Sequence, residues 1–126
     1  MIERAEMKLS TNDFAFVNKR LTGEQEKMSK WTEKTSTIDK VDLYFLIAAD
    51  QRLLGEYGKA RQTLDLAIAI DPKNSNLLQI YSSLLAVMGD KDSALSYINK
   101  AIELYPLEDN YWHWKIDLEK ERGIKG

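Results

Sequence analysis

Cysteine is absent from this chain of 126 residues, and histidine occurs only once. Without thiols the chain has no structural disulfides, no thiolate metal sites and no cysteine nucleophile. Proline is almost as scarce, with Pro72 and Pro106 as its two occurrences. Reactive and metal-ligating groups are therefore too few for most catalytic sites, and the sequence predicts no cofactor and no metal.

Long apolar runs and an excess of charge of one sign are also missing. The longest apolar run, residues 44–49, is far shorter than the ~20 residues that cross a bilayer. The first residues lack the basic start and apolar stretch of a secretion signal. The formal net charge is -2, which provides no broad positive field for nucleic acid. We therefore expect a cytoplasmic protein that neither binds nucleic acid nor inserts directly into a membrane.

A repeat with a period of 34 residues is the strongest positive feature of the sequence. The period superimposes glycine on glycine, alanine on alanine and proline on proline. The matched pairs are Gly55 with Gly89, Ala60 with Ala94, Ala67 with Ala101, and Pro72 with Pro106. A period of this length is typical of stacked helical hairpins, which bury their apolar faces against one another.

Amphipathic stripes and turn residues divide each period into two helices. In the first period, one stripe ends at Gly55, a residue that tolerates positive φ, and a second ends before Pro72. The next period repeats the plan, with Asp90 as the expected N-cap of its second helix. A further helix is predicted from about Glu108 to Arg122.

The size pattern within each period resembles the tetratricopeptide repeat family. With Val41 as position 1, the family's large, small and proline positions are occupied by Tyr44, Ile47, Ala48, Gln51, Ala60, Leu64, Ala67 and Pro72. Only Gln51 departs from the pattern. From Ser75 the same positions are Leu78, Tyr81, Ser82, Leu85, Ala94, Ile98, Ala101 and Pro106. The resemblance implies an all-α fold, an α-solenoid of helical hairpins.

A third period begins at Asp109 but does not keep the pattern. Lys115, Ile116 and Glu119 stand where large, small and large residues are expected. The polar Lys115 and Glu119 suit a terminal capping helix with a hydrated outer face. The expected organisation is an N-terminal helical extension and linker at 1–40, hairpins at 41–74 and 75–108, and a capping helix at 109–126.

The first 40 residues lie outside the repeat. Phe14, Val17 and Leu21 share one helical face, a cluster of polar residues from Ser10 can cap that helix, and Gly23 is expected to end it. A second, weaker helix is predicted to carry Met28 and Trp31, and Thr37 or Asp39 is expected to cap the first repeat helix. This segment either packs on the first hairpin as a cap, or contacts a partner or a second copy through Phe14, Phe16, Val17, Met28 and Trp31.

The resemblance also implies a binding surface, because first-helix residues line the concave groove in this family. Carried over by position, the expected partner-binding residues are Asp42, Phe45, Ala49, Arg52, Asn76, Gln79, Ser83, Ala86, Asn110, His113 and Asp117. Phe45 offers an apolar anchor and Arg52 a hydrogen-bond donor, which suits a peptide or a single helix. The alternative is that these positions form an ordinary solvated face.

Catalytic alternatives have little support in the sequence. His113 and Asp117 lie one helical turn apart, but a base with one orienting carboxylate is not a complete catalytic or metal site. We therefore expect no enzymatic activity.

The leading hypothesis is a protein-binding adaptor. One alternative is a self-associating module that uses the N-terminal segment. The other is a small chaperone of bacterial secretion, because such chaperones are similar in size and layout.

Overall fold

The computed structural model describes residues 10–121, and regular structure within that range is entirely α-helical. The helices in chain order are α1 (Thr11–Ser29), α2 (Thr37–Leu53), α3 (Tyr57–Ile70), α4 (Ser75–Val87), α5 (Lys91–Leu104) and α6 (Asp109–Glu121). The expected all-α class is confirmed. Across the same described range, no helix combines the length and apolar character needed to cross a membrane.

The helices belong to two compact units that meet in sequence at Pro72 and Lys73. In the first unit, α2 and α3 form a hairpin, and α1 packs against α2. In the second unit, α4 and α5 form a hairpin, and α6 packs against α5. Each unit is thus one hairpin with one additional helix, built from sequence-adjacent elements.

Glycine makes the tight turn inside each hairpin, as predicted. Gly55 has a φ of 79° and Gly89 a φ of 93°, in the left-handed region that residues with a Cβ atom rarely enter. At the first turn the Glu56 amide donates to the Gln51 carbonyl oxygen at 2.8 Å. The Gly55 amide donates to Arg52 at 3.0 Å. These two bonds form a Schellman cap, which satisfies the last carbonyl groups of α2.

Small residues at the predicted repeat positions let the helices of each hairpin approach closely. Ala60 and Ala67 in α3, and Ala94 and Ala101 in α5, have no exposed surface. Branched residues complete each core. They include Ile47 and Leu64 in the first unit, and Leu77, Leu84, Leu85, Ile98 and Leu118 in the second. Burying each of these side chains contributes roughly 1.5–3 kcal/mol.

Helix starts follow the capping chemistry of the sequence, with one correction. The side chains of Ser10, Asn74 and Asp90 accept hydrogen bonds from backbone amides of the first turns of α1, α4 and α5. The expectation that Thr37 or Asp39 caps α2 is wrong. Ser36 is the N-cap, and its hydroxyl accepts from the Asp39 amide at 3.1 Å.

The N-terminal extension differs from its prediction. Gly23 does not end the first helix, and no separate helix carries Met28 and Trp31, because α1 continues without interruption to Ser29. Its buried stripe of Val17, Leu21 and Glu24 extends beyond the glycine, so packing against α2 outweighs the weak helix propensity of Gly23.

Candidate protein-binding surface

One side of α2 presents apolar side chains to solvent. We define the α2 face as Ile38, Asp42, Phe45, Ala49, Arg52 and Leu53, which lie within an arc of about 100° on a helix with about 100° per residue. Ile38 is 73% exposed and Leu53 is 43% exposed. Phe45, Ala49 and Arg52 are half-buried, and Asp42 is exposed. The face is therefore an apolar stripe with an acid near its start and a base near its end.

The opposite side of α2 packs inside the first unit. Ile47 and Ala48 are almost fully buried. Gln51, the residue that departs from the repeat pattern, is also buried, and its Oε1 atom accepts a hydrogen bond from Thr63 Oγ1 at 2.7 Å. A polar pair between α2 and α3 thus replaces the expected apolar contact, with this amide oxygen satisfied.

A partly buried ionic cluster joins α1 to α2. Arg20 Nε lies 3.0 Å from Oδ2 and 3.2 Å from Oδ1 of Asp50, and the Arg20 Nη2 atom also donates to Oδ1. The Asp50 side chain is 4% exposed. Glu24 is 7% exposed, and its Oε1 atom is buried without a hydrogen-bond partner. Two buried carboxyl groups therefore lie beside one guanidinium, which binds Asp50 directly and whose side chain is 45% exposed.

This environment changes the protonation of Glu24. Burial raises the pKa of Glu24 to about 7, and hydrogen bonding to Asp50 and repulsion by its charge act in the same direction. Attraction to Arg20 and Lys27 opposes the shift. The hydrogen bond to Asp50 raises the pKa of Arg20, which stays cationic. The Glu24 carboxyl therefore gains or loses its proton near neutral pH.

Sequence reasoning missed this cluster, although the repeat contains a signal for it. Asp50 occupies position 10 of its period, where the following periods have Leu84 and Leu118. Both leucines are completely buried. A carboxylate at a position that is otherwise a buried leucine requires a counter-charge from an adjacent element, and in the first unit Arg20 provides it.

The predicted binding residues in the second unit are mostly polar. Asn76 is exposed, and Gln79 and Ser83 are half-buried on α4. Ala86 is 2% exposed, so its side chain is not available to a partner. Asn110, His113 and Asp117 are all exposed on α6. These side chains offer hydrogen bonds but no apolar anchor comparable with Phe45.

The chemistry required for a metal site is not assembled in the described structure. Between residues 10 and 121, no three histidine, aspartate or glutamate side chains are grouped to hold an ion. His113 and Asp117 lie on the exposed surface of α6. Their arrangement is that of solvated side chains on a helix.

The tryptophans and the N-terminal aromatic residues have distinct roles. Trp31 packs edge-to-face on Tyr44 at 5.0 Å between ring centroids. Trp114 Nε1 donates to Ser82 Oγ at 2.8 Å. Among the five residues proposed to reach a partner from the N-terminal segment, Val17 is buried and Met28 and Trp31 are half-buried. Phe14 and Phe16 remain exposed.

Comparison with known proteins supports the repeat pattern. The tetratricopeptide repeat family matches the chain at residues 41–74 and again at residues 75–106. The first range covers the α2–α3 hairpin except for the first turn of α2, and the second covers the α4–α5 hairpin. No curated protein matches the chain.

Proposed function

Because the chain belongs to the tetratricopeptide repeat family, whose repeats generally mediate protein–protein interaction, we propose that it is a non-enzymatic adaptor. Its α2 face binds a segment of a partner protein. The exposed apolar stripe of α2 is the observation that carries this proposal. A solvated helix face would instead carry polar side chains at Ile38, Phe45 and Leu53.

The shape of the α2 face suits one partner helix or a short peptide. Ala49 lies at its centre and leaves room for a bulky side chain, while Phe45 and Leu53 provide apolar surface on either side. A ligand with apolar residues spaced three and four apart matches this stripe. Asp42 and Arg52 are ten residues apart in the sequence, or roughly 15 Å along the helix.

These two charges favour one ligand orientation. A basic residue of the ligand pairs with Asp42, and an acidic residue about 15 Å away pairs with Arg52. In the second unit, Asn76, Gln79 and Ser83 of α4, and Asn110, His113 and Asp117 of α6, provide polar positions suited to hydrogen bonding. Of the predicted residues, Ala86 contributes no accessible side chain.

The proposal is tested by selecting peptides against the folded protein. A displayed library of amphipathic 16-residue peptides, about four turns of helix, is selected against the wild type, and the affinities of the selected peptides are measured by calorimetry. Replacing Phe45 by Ser together with Arg52 by Ala is expected to weaken binding at least ~100-fold, because an apolar anchor and a charge-assisted hydrogen bond are lost.

Leu66→Ser is the matched control, since Leu66 is exposed on α3 of the same unit but lies outside the α2 face. This variant is expected to bind the selected peptides as the wild type does. Circular dichroism of each variant verifies that helicity is retained. Equal affinity for the double variant and the wild type would refute the assignment of the α2 face.

A further inference from the structure

The α6 helix has one packed side and one uncovered side. Tyr111 and Leu118 are buried, and the Tyr111 hydroxyl donates to Ser75 Oγ at 2.9 Å. On the other side Trp112 is 41% exposed and Ile116 is 46% exposed. Within the range that the structure describes, no helix follows α6 to cover them.

The repeat shows what normally covers this side of a first helix. In the α4–α5 hairpin, the Tyr81 ring packs against Tyr97 at 4.6 Å between centroids, and Ser82 Oγ donates to the Ala94 carbonyl oxygen at 2.6 Å. One period later, Tyr81 and Ser82 correspond to Lys115 and Ile116. The uncovered side of α6 is therefore the side that the second helix of a hairpin contacts.

The surface around Trp112 is ordered and partly apolar. Trp112 Nε1 donates to the Pro106 carbonyl oxygen at 2.8 Å, and the Lys115 ammonium lies 5.3 Å from the indole ring centroid. Leu107 in the preceding turn is 93% exposed. We define the α6 face as Leu107, Trp112, Lys115, Ile116 and Glu119.

The α1 helix has the complementary arrangement. Its buried Val17, Leu21 and Glu24 face α2 with the same spacing as Ala60, Leu64 and Ala67 in α3. In α3, Thr63 stands directly before Leu64. Its hydroxyl donates a hydrogen bond to Gln51 of α2, which is the first helix of the same hairpin. By this spacing α1 corresponds to the second helix of a hairpin, and from residue 10 onward no first helix precedes it.

The side of α1 that would contact such a first helix is open. Arg20 stands directly before Leu21, just as Thr63 stands directly before Leu64 in α3. Phe16 lies about one turn before Arg20 on α1. Phe16 is 63% exposed, and the Arg20 guanidinium lies 5.6 Å from its ring centroid. We define the α1 face as Asp13, Phe16, Arg20 and Lys27, which lie on one side of the helix at intervals of three, four and seven residues.

We propose that the α1 face of one copy of this chain packs on the α6 face of a second copy, so that the two form a hairpin-like contact. Phe16 packs against Trp112 and Ile116, and Asp13, which lies just under one turn before Phe16 on α1, pairs with Lys115. The surrounding charges are complementary. Residues 10–30 contain four basic and three acidic side chains, whereas residues 103–121 contain two basic and six acidic side chains.

The two faces differ, so this contact is heterologous. After two copies pair, one of them still has an unused α1 face and the other still has an unused α6 face. Further copies therefore add head to tail unless the row of copies closes into a ring. The α2 face takes no part in the contact, so the inference is independent of the partner proposed above.

Sedimentation velocity of the full chain, over protein concentrations from about 1 μM to about 500 μM, tests this inference. The wild type is expected to form dimers and larger species as concentration rises. Phe16→Glu and Ile116→Glu are each expected to remain monomeric, because each places an unpaired charge in the apolar centre of the contact. Phe14→Glu is the matched control and is expected to associate normally, since Phe14 is exposed on the other side of the buried stripe of α1.

Mixing the two charged variants is the decisive experiment. Phe16→Glu retains an intact α6 face and Ile116→Glu retains an intact α1 face, so an equimolar mixture is expected to form a heterodimer and nothing larger. Both substitutions are at exposed positions, and circular dichroism verifies folding. A wild type that stays monomeric throughout, a mixture that stays monomeric, or an equal effect of Phe14→Glu would overturn the proposal.

Discussion

A single buried residue, Asp50, shows how a charge alters a repeat position. Leu84 and Leu118 fill the same position in the following periods and need no partner beyond apolar contacts. Asp50 needs a cation, and Arg20 of α1 supplies it through hydrogen bonds to both carboxylate oxygens. The aspartate therefore makes α2 dependent on one particular residue of α1, as an apolar side chain would not.

Replacing Arg20 by Met is expected to destabilise the first unit. The variant leaves the buried Asp50 carboxylate without its guanidinium, and an unsatisfied buried group costs about 1–3 kcal/mol. Urea unfolding near neutral pH measures the loss. Lys19→Met is the matched control, because Lys19 is exposed one residue earlier on the same helix. A loss equal to that of the control would contradict the role assigned to Arg20.

Glu24 makes the stability of the chain depend on pH. Its folded pKa of about 7 lies above the ordinary value of 4.5, so the folded state binds more protons than the unfolded state between these values. The protonated Glu24 carboxyl makes its full contribution to the free energy of unfolding below about pH 4.5. This contribution is lost as the pH rises through about 7. Stability from this group therefore falls as pH increases.

Glu24→Gln removes this dependence while retaining a similar shape. We expect the variant to be more stable than the wild type by roughly 2–3 kcal/mol at about pH 8, and close to the wild type at about pH 5. Urea unfolding of both proteins at the two pH values measures the difference. A difference that does not change with pH would show that Glu24 does not titrate in this range.

At the scale of helices, sequence reasoning succeeded where local chemistry decides the structure. Gly55 and Gly89 adopt the positive φ expected at hairpin turns, and Asp90 caps the helix that it precedes. It failed at Gly23, where a tertiary contact outweighs local propensity. The α1 stripe contains the acidic residue Glu24, so apolar periodicity alone did not extend the helix beyond the glycine.

The candidate surfaces were less predictable than the helices. Periodicity placed Val17 on an apolar face of α1 but did not show that Phe16 lies outside that face and exposed. Repeat positions placed Phe45 and Arg52 on one side of α2, but also included Ala86, which is buried. Exposure depends on what packs against each helix, and a repeat pattern describes that contact only on average.

Gly23 supplies a test at the scale of one helix. A Cβ atom at this position would meet no atom within 4 Å, so Gly23→Ala is expected to stabilise the chain by about 1 kcal/mol through helix propensity. Gly89→Ala is the contrasting variant, because its φ of 93° makes a side chain costly by about 1–2 kcal/mol. Thermal unfolding compares both with the wild type. A destabilising effect of Gly23→Ala would contradict the continuous α1 helix.

At the scale of the whole molecule, the chain carries several surfaces with different chemistry. The α2 face is apolar with a charge near each end, whereas the α1 and α6 faces each combine an aromatic residue with charges of both signs. A partner suited to the first surface is therefore poorly suited to the others. Adaptor binding and association between copies are chemically separable, because different residues carry them.

Association between copies should also appear as a dependence of stability on protein concentration. Only the folded chain presents the α1 and α6 faces, so pairing stabilises it by mass action. At a free concentration about ten times the dissociation constant, the gain is roughly 1.4 kcal/mol, or an increase in Tm of about 5 °C. Scanning calorimetry of the wild type across concentrations is expected to show this increase. Phe16→Glu should show no increase in Tm, because the variant cannot pair. Phe14→Glu should follow the wild type. A Tm that is independent of concentration in all three proteins would mean that folding is not linked to head-to-tail association.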